Sequence, residues 1–171
     1  MRYDFGSDNT AGMALSAIEG LVRANKGFAR AYGADEVTAR AADQIRQRLD
    51  ADAEVRFVFS GTAANAIALS MLAQPYEAVL AHHAAHICTD ETGAPGFFGH
   101  GVGLIGLPGV SGKIDPLAFQ TQLGEAEVGH RQPPAALSLT QATEYGSVYT
   151  EEDLRHLIEP AKALGYGVHM D

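Results

Sequence analysis

Apolar positions along the chain switch between two spacings. Ala14, Ala17, Ile18 and Leu21 recur at i, i+3, i+4 and i+7, which predicts a helix capped at Thr10 and fraying at Asn25-Lys26-Gly27. Val37, Ala41, Ile45 and Leu49 predict a second helix with arginines on the opposite face. Val55, Phe57, Val58 and Phe59 form a β-branched and aromatic run of strand length. Ser60-Gly61-Thr62 breaks that run, and Ala63 to Ala73 favours helix at almost every position. Ala78-Val79-Leu80-Ala81 reads as a short buried strand. Residues 93–112 hold eight glycines and predict no single regular element. Asp115 to Leu123 predicts a short helix and Ala135 to Leu139 another strand. Thr150 with Asp153 predicts a capping box for a helix that buries Leu154, Leu157, Ile158, Ala161 and Leu164 and stops at Gly165. A final strand from Gly165 ends on the carboxylate of Asp171.

Strands alternating with helices predict an α/β fold, a mainly parallel sheet flanked by helices on both faces. Ligands of such sheets lie beyond the carboxyl ends of the strands. Ser60-Gly61-Thr62, His86, the Gln141 to Glu144 segment and Asp171 all fall at such ends, which implies one site. The Ser60-Gly61-Thr62 turn has two readings. It is an anion site, with free N–H groups and the positive end of a helix dipole, or Ser60 or Thr62 simply caps the helix. His86 offers a flat side chain on which a ring can stack. An anion cradle, a flat side chain and a carboxylate together fit a phosphorylated heteroaromatic cofactor with a basic ring nitrogen, namely pyridoxal phosphate.

Composition narrows the setting. Hydrophobic residues at 46% and charged residues at 19% suit a soluble globular domain. A formal charge of −9 argues against nucleic acid or an anionic membrane as partner. The single cysteine, Cys88, excludes an internal disulfide and suits the cytoplasm. No apolar run reaches membrane-spanning length, and the N-terminus lacks the pattern of a signal peptide.

His82, His86 and Asp90 raise a rival reading from another class, a metal-binding module. His82 and His86 share a face only in a helix, and Cys88 has no CxxC partner. Gly101-Val102-Gly103-Leu104-Ile105-Gly106 matches the dinucleotide fingerprint formally, but Leu107-Pro108-Gly109 follows and cannot open a helix.

Six ordered motifs carry a resemblance: SDN at 7–9, AYGAD at 31–35, FSGTAAN at 59–65, AAHICTDETGAP at 84–95, TQATEYGSVY at 140–149 and HMD at 169–171. They resemble the low-specificity L-threonine aldolases, of the aspartate-aminotransferase (fold type I) group of pyridoxal-phosphate enzymes. The resemblance implies cleavage of threonine, allo-threonine and related β-hydroxy-α-amino acids to glycine and an aldehyde. Phenylserine cleavage and β-elimination are the neighbouring alternatives. It implies that Ser60, Gly61, Thr62 and Gln141 bind the cofactor. His86 is implied to stack on the ring and assist proton transfer, and Asp171 to pair with the ring nitrogen. Ser7, Tyr32, Glu91 and Glu144 are implied at the substrate. One branch of the family carries a histidine in an ENTHN motif where this chain has TQATE, with Glu144 there.

The resemblance further implies that residues 1–171 are the N-terminal arm and first part of a large cofactor domain. The cofactor-binding lysine, the rest of that domain and a smaller C-terminal domain would then follow. Lys26, Lys113 and Lys162 are the lysines present, and none follows a strand of the right kind. A homodimer or homotetramer is implied, with Tyr32 and residues 7–9 near a subunit boundary. On its own, this half-sheet is expected to aggregate or pair and to form no covalent link with the cofactor.

Overall fold

A computed structural model describes residues 10–124 and 130–171. Ser7 and the SDN motif lie outside the described residues. The chain divides into two compact units, one up to Phe57 and the other from Val58 onward.

The first unit holds α1 (Leu15–Ala24) and α2 (Glu36–Leu49). Thr10 does not cap α1. The cap position is Ala14, which offers no side-chain hydrogen bond. Asp35 caps α2 by accepting from the Thr38 N–H at 2.9 Å and the Thr38 hydroxyl at 2.7 Å. Those two bonds hold its carboxyl below the usual aspartate range. The periodicity located both helices, but the stripes find little cover among the described residues. Leu21, Val37, Ile45 and Leu49 are exposed, and only Ala42 of α2 is buried.

The second unit holds α3 (Gly61–Leu72), β1 (Ala78–His82), α4 (His86–Thr89), α5 (Ala94–Phe98) and β2 (Gly103–Leu107). It continues with α6 (Pro116–Gly124), β3 (Pro134–Leu139), α7 (Glu151–Ala163) and β4 (Gly167–Met170). The four strands pair in the order β2-β1-β3-β4, every pair parallel. β1 lies inside the sheet and is buried at all five positions, hence its unbroken apolar run. Alternate residues feed two cores. Leu80, Leu137 and Leu139 pack with Phe119, Leu157 and Ala161 on one face. Val79, Ala81 and Ala136 pack with Leu69 and Ile87 on the other. The expected capping box opens α7: Asp153 N–H donates to Thr150 Oγ1 at 3.1 Å, and Thr150 N–H to Asp153 Oδ2 at 2.9 Å.

Two further expectations are corrected. Residues 55–59 form no strand, and Phe57, Val58 and Phe59 are exposed. Strand propensity needs a neighbouring strand to complete the ladder, and none of the described strands lies beside this run. The glycine-rich stretch forms no single element, as expected, and holds both α5 and β2. Glycine there serves close approach: a Cβ on Gly106 would stand 3.1 Å from His83 Cα, across the β1–β2 edge. Leu164, expected in the core, is exposed because α7 ends one residue before it.

Candidate active site

Because the sheet is parallel, the carboxyl ends of β1, β3 and β4 open on one side. A cleft of about 330 Å³ lies there, lined by Gly61, Thr62, His86, Gln141, Glu144 and Asp171, with Asn65, Thr140 and Ala142 completing its wall. Six of the expected site residues therefore converge.

At one end of the cleft, Ser60 is the N-cap of α3, its Oγ accepting from the Ala63 N–H at 3.2 Å. The cap reading thus holds for Ser60, which does not line the cleft. Gly61 and Thr62 do line it. Their N–H groups precede the first helical bond, from Ala64 N–H to Ser60 O at 3.0 Å, so they are donors at a positive helix end. A Cβ on Gly61 would meet no atom within 4 Å, so the missing side chain leaves space against the backbone. Such a turn has the donors and the room for an anion.

His86 opens the short helix α4, its side chain 41% exposed. Its Nδ1 lies 3.0 Å from Glu91 Oε1, and the same oxygen accepts from Asn65 Nδ2 at 2.7 Å. The Glu91 hydrogen bond raises the imidazole's proton affinity above the ordinary histidine value. Desolvation opposes this, and the charges of Glu91, Glu144 and Asp171 reinforce it. Glu91 itself is expected at the substrate but is buried to 3% behind His86, outside the cleft lining. Its Oε2 has no hydrogen-bond partner.

Asp171 is fixed through its backbone. Its N–H donates to Leu139 O at 2.8 Å and its carbonyl accepts from Gln141 N–H at 3.0 Å, which continues the β3–β4 pairing to the cleft. The Gln141 side chain turns to the Tyr149 backbone, accepting from its N–H at 2.9 Å. Gln141 thus braces the 140–149 segment while it lines the cleft. Tyr32 lies in the first unit, fully exposed, at φ +61°.

The alternative metal set is not brought together. His82 Nδ1 accepts from Ala84 N–H at 3.1 Å, its Nε2 lies 3.4 Å from Gly109 O, and its ring sits 4.2 Å from that of His83. Among the described residues, no three His, Cys, Asp or Glu side chains could hold a metal ion. Lys113, one of the three lysines, pairs with Asp153 at 3.0 Å and stands over the Tyr149 ring. Asn65 was not foreseen. Its signal is a lone amide within an otherwise small and apolar helix, GTAANAIALSML.

Beneath Asp171, His169 is buried with its Nδ1 2.8 Å from Ser138 Oγ. Burial pushes its imidazole below the ordinary value of 6.5, with Asp171 and Glu91 partly offsetting this, and burial also lowers His82. The neutral forms of His82 and His169 stabilise the fold above pH 6.5, and that contribution is lost as pH falls through their lowered values. His86 acts oppositely: its contribution is full below 6.5 and is lost as pH rises through its raised value. The unfolding midpoint should therefore peak near neutrality and fall on both sides. A midpoint that climbs steadily on acidification from neutral would contradict these assignments.

The sequence model of the beta-eliminating lyases matches residues 4–171. The chain belongs to this family. It is 42% identical over 167 residues to the low-specificity L-threonine aldolases of a Pseudomonas species and of Pseudomonas aeruginosa. In both cases the match covers 98% of this chain and 48% of the relative, so the chain spans about half the length of the curated relatives it matches. The Leishmania major threonine aldolase structure superposes with a TM-score of 0.92 at 32% identity, covering 99% of this chain and 49% of that one. A putative L-allo-threonine aldolase from Listeria monocytogenes superposes at 0.73 with 17% identity, covering 94% and 44%, a likeness of fold alone. This member of the beta-eliminating lyases thus has the parallel α/β sheet and helical cover of a threonine aldolase structure.

Proposed function

We propose that the protein to which this chain belongs is a pyridoxal-phosphate-dependent aldehyde-lyase. It cleaves L-threonine, L-allo-threonine and related β-hydroxy-α-amino acids to glycine and an aldehyde. The observation that carries this reading is the convergence of the α3 N-terminus, the His86 ring and the Asp171 carboxylate on one cleft.

The donor set suits the cofactor. Gly61 and Thr62 would hold its phosphate through backbone N–H groups and the Thr62 hydroxyl. His86 would lie against its ring, and Asp171 would pair with its ring nitrogen. Bound there, the cofactor supplies an electron-poor ring that accepts the electron pair released as the Cα–Cβ bond breaks. The negative charge of Asp171 favours a protonated ring nitrogen. His86 takes the β-hydroxyl proton, directly or through water, and Glu144 faces the substrate. Ser7 and Tyr32 retain their proposed place at the substrate.

We further propose that residues 1–171 form the N-terminal arm and the first part of the cofactor domain. The whole protein acts as a homodimer or homotetramer in the cytoplasm. Among the described residues no helix is long and apolar enough to cross a membrane.

The whole protein, given L-threonine or L-allo-threonine with pyridoxal phosphate, should release acetaldehyde and glycine. Absence of acetaldehyde from both, together with no benzaldehyde from phenylserine, would sink the reading. Release of 2-oxobutanoate and ammonia instead would assign β-elimination. Thr62→Ala should weaken cofactor affinity about tenfold by removing one charge-assisted phosphate contact, with smaller change in turnover of the saturated enzyme. Equilibrium titration with pyridoxal phosphate checks this, and unchanged affinity would remove Thr62 from the cradle.

A further inference from the structure

The catalytic reading uses the cleft-facing side of His86 but leaves its buried side unexplained. Behind the ring stands Glu91, its side chain wholly buried, and behind Glu91 stands Asn65, 5% exposed, on the inner face of α3. Both are buried polar groups, and the neighbouring helices α3 and α4 also send Leu69 and Ile87 into an apolar core. A carboxylate at such a position is retained at a desolvation cost, and its partners define what it does there.

The partners assign the protons. Asn65 reaches Glu91 Oε1 through its amide nitrogen, which only donates. As a carboxylate Glu91 offers Oε1 only as an acceptor, so the second group on the same oxygen, His86 Nδ1, brings its own hydrogen. An imidazole with its hydrogen held at Nδ1 is, when neutral, a base at Nε2 and nowhere else. We propose that Asn65 and Glu91 form a buried carboxamide–carboxylate–imidazole chain that holds the His86 proton at Nδ1 and fixes the ring, leaving Nε2 as the proton acceptor of the cleft. Asn65 and Glu91 are positioning residues acting through His86. The chain deepens the aldolase reading and rests on it for its role in catalysis, while the tautomer follows from a carboxylate at Glu91 and the two contacts it accepts.

The charged groups facing this chain are few. His86 faces Glu91 from behind and the carboxylates of Glu144 and Asp171 around the cleft. Glu91 faces His86 and, from β4, the buried His169. With Glu144 and Asp171 unchanged, removing the Glu91 charge isolates its share of the His86 proton affinity.

Carbethoxylation by diethyl pyrocarbonate, which attacks the neutral imidazole, reads this directly when the rate at His86 is followed by peptide mass mapping against pH. In the whole protein stripped of cofactor, the half-point at His86 should lie above 6.5 and fall by about one pH unit in the isosteric Glu91→Gln. Asn65→Leu should shift the half-point in the wild-type background and leave it unmoved in the Glu91→Gln background, because Asn65 acts only through Glu91. A half-point unchanged in Glu91→Gln, or equal shifts from Asn65→Leu in both backgrounds, overturns the proposal. If Asn65→Leu does not fold, Glu91→Gln decides alone. Adding pyridoxal phosphate to the wild type tests the other reading separately: slowed modification of His86 supports a cofactor at the cleft, and unslowed modification counts against it while leaving the half-point result standing.

Discussion

Asp171→Ala in the whole protein is expected to lower turnover of L-threonine on the order of 10³-fold while changing pyridoxal-phosphate affinity only a few-fold. The asymmetry follows from where Asp171 stands. Its backbone is tied to Leu139 O and to the Gln141 N–H, so truncating the side chain leaves the cleft wall in place. The phosphate donors Gly61 and Thr62, on a separate element, are untouched. The lost group is the negative charge that would keep the ring nitrogen protonated, and with it the pull on the electrons of the breaking bond. Steady-state kinetics at saturating cofactor, paired with a cofactor titration, separates the two quantities. If Asp171→Ala and Thr62→Ala lose cofactor affinity equally, the division of labour between ring nitrogen and phosphate is wrong.

Two glycines should respond to alanine in opposite ways. At Gly109 the added Cβ would collide with the Lys113 carbonyl oxygen and lie 2.8 Å from Lys113 C and 2.9 Å from Asp115 N. All three atoms are backbone, and the loop cannot yield easily. Lys113 N–H is bonded to Val110 O at 3.1 Å, Asp115 N–H to Pro108 O at 2.9 Å, and the Lys113 ammonium to Asp153. Gly109→Ala should therefore destabilise the protein by about 3 kcal/mol, read as a lowered urea midpoint. At Gly61 the added methyl meets no protein atom within 4 Å, so Gly61→Ala should leave the urea midpoint nearly unchanged. It should instead weaken pyridoxal-phosphate binding, because the methyl occupies space beside the α3 donors. Destabilisation by Gly61→Ala comparable to that of Gly109→Ala would show that the cleft is filled by protein, not left for a ligand.

How much of this was legible before the structure differs by element. The fully buried run of β1 and the Thr150–Asp153 box announced themselves because their causes are local: burial on both faces, and a side chain closing on its own helix end. The strand expected at residues 55–59 failed for a non-local reason, since propensity cannot supply the neighbour a ladder needs. β2 was missed because its glycines answer to His83 and Gln132, residues distant in sequence. In the site, His86, Glu144 and Asp171 were readable as polar residues beyond strand ends, and Gly61 and Thr62 as the glycine-hydroxyl turn that opens α3. Glu91 was readable only as a carboxylate near a histidine. Its place behind the ring, and the part of Asn65, depend on α3 lying against the 86–91 segment, which periodicity does not encode.

The strand order also sets a timetable. β1 pairs with β2, which follows it directly, but also with β3, and among the described strands β4 pairs with β3 alone. A chain growing from its N-terminus can therefore zip β1 to β2 while the far half of the cleft has yet to be made. Gly61, Thr62 and His86 exist early as an open shelf, and Asp171 arrives after them, just past β4 at one edge of the four described strands. Whatever the cleft binds through both halves cannot act as a template for the early folding of this sheet, and its stabilising effect begins only once β4 has docked on β3.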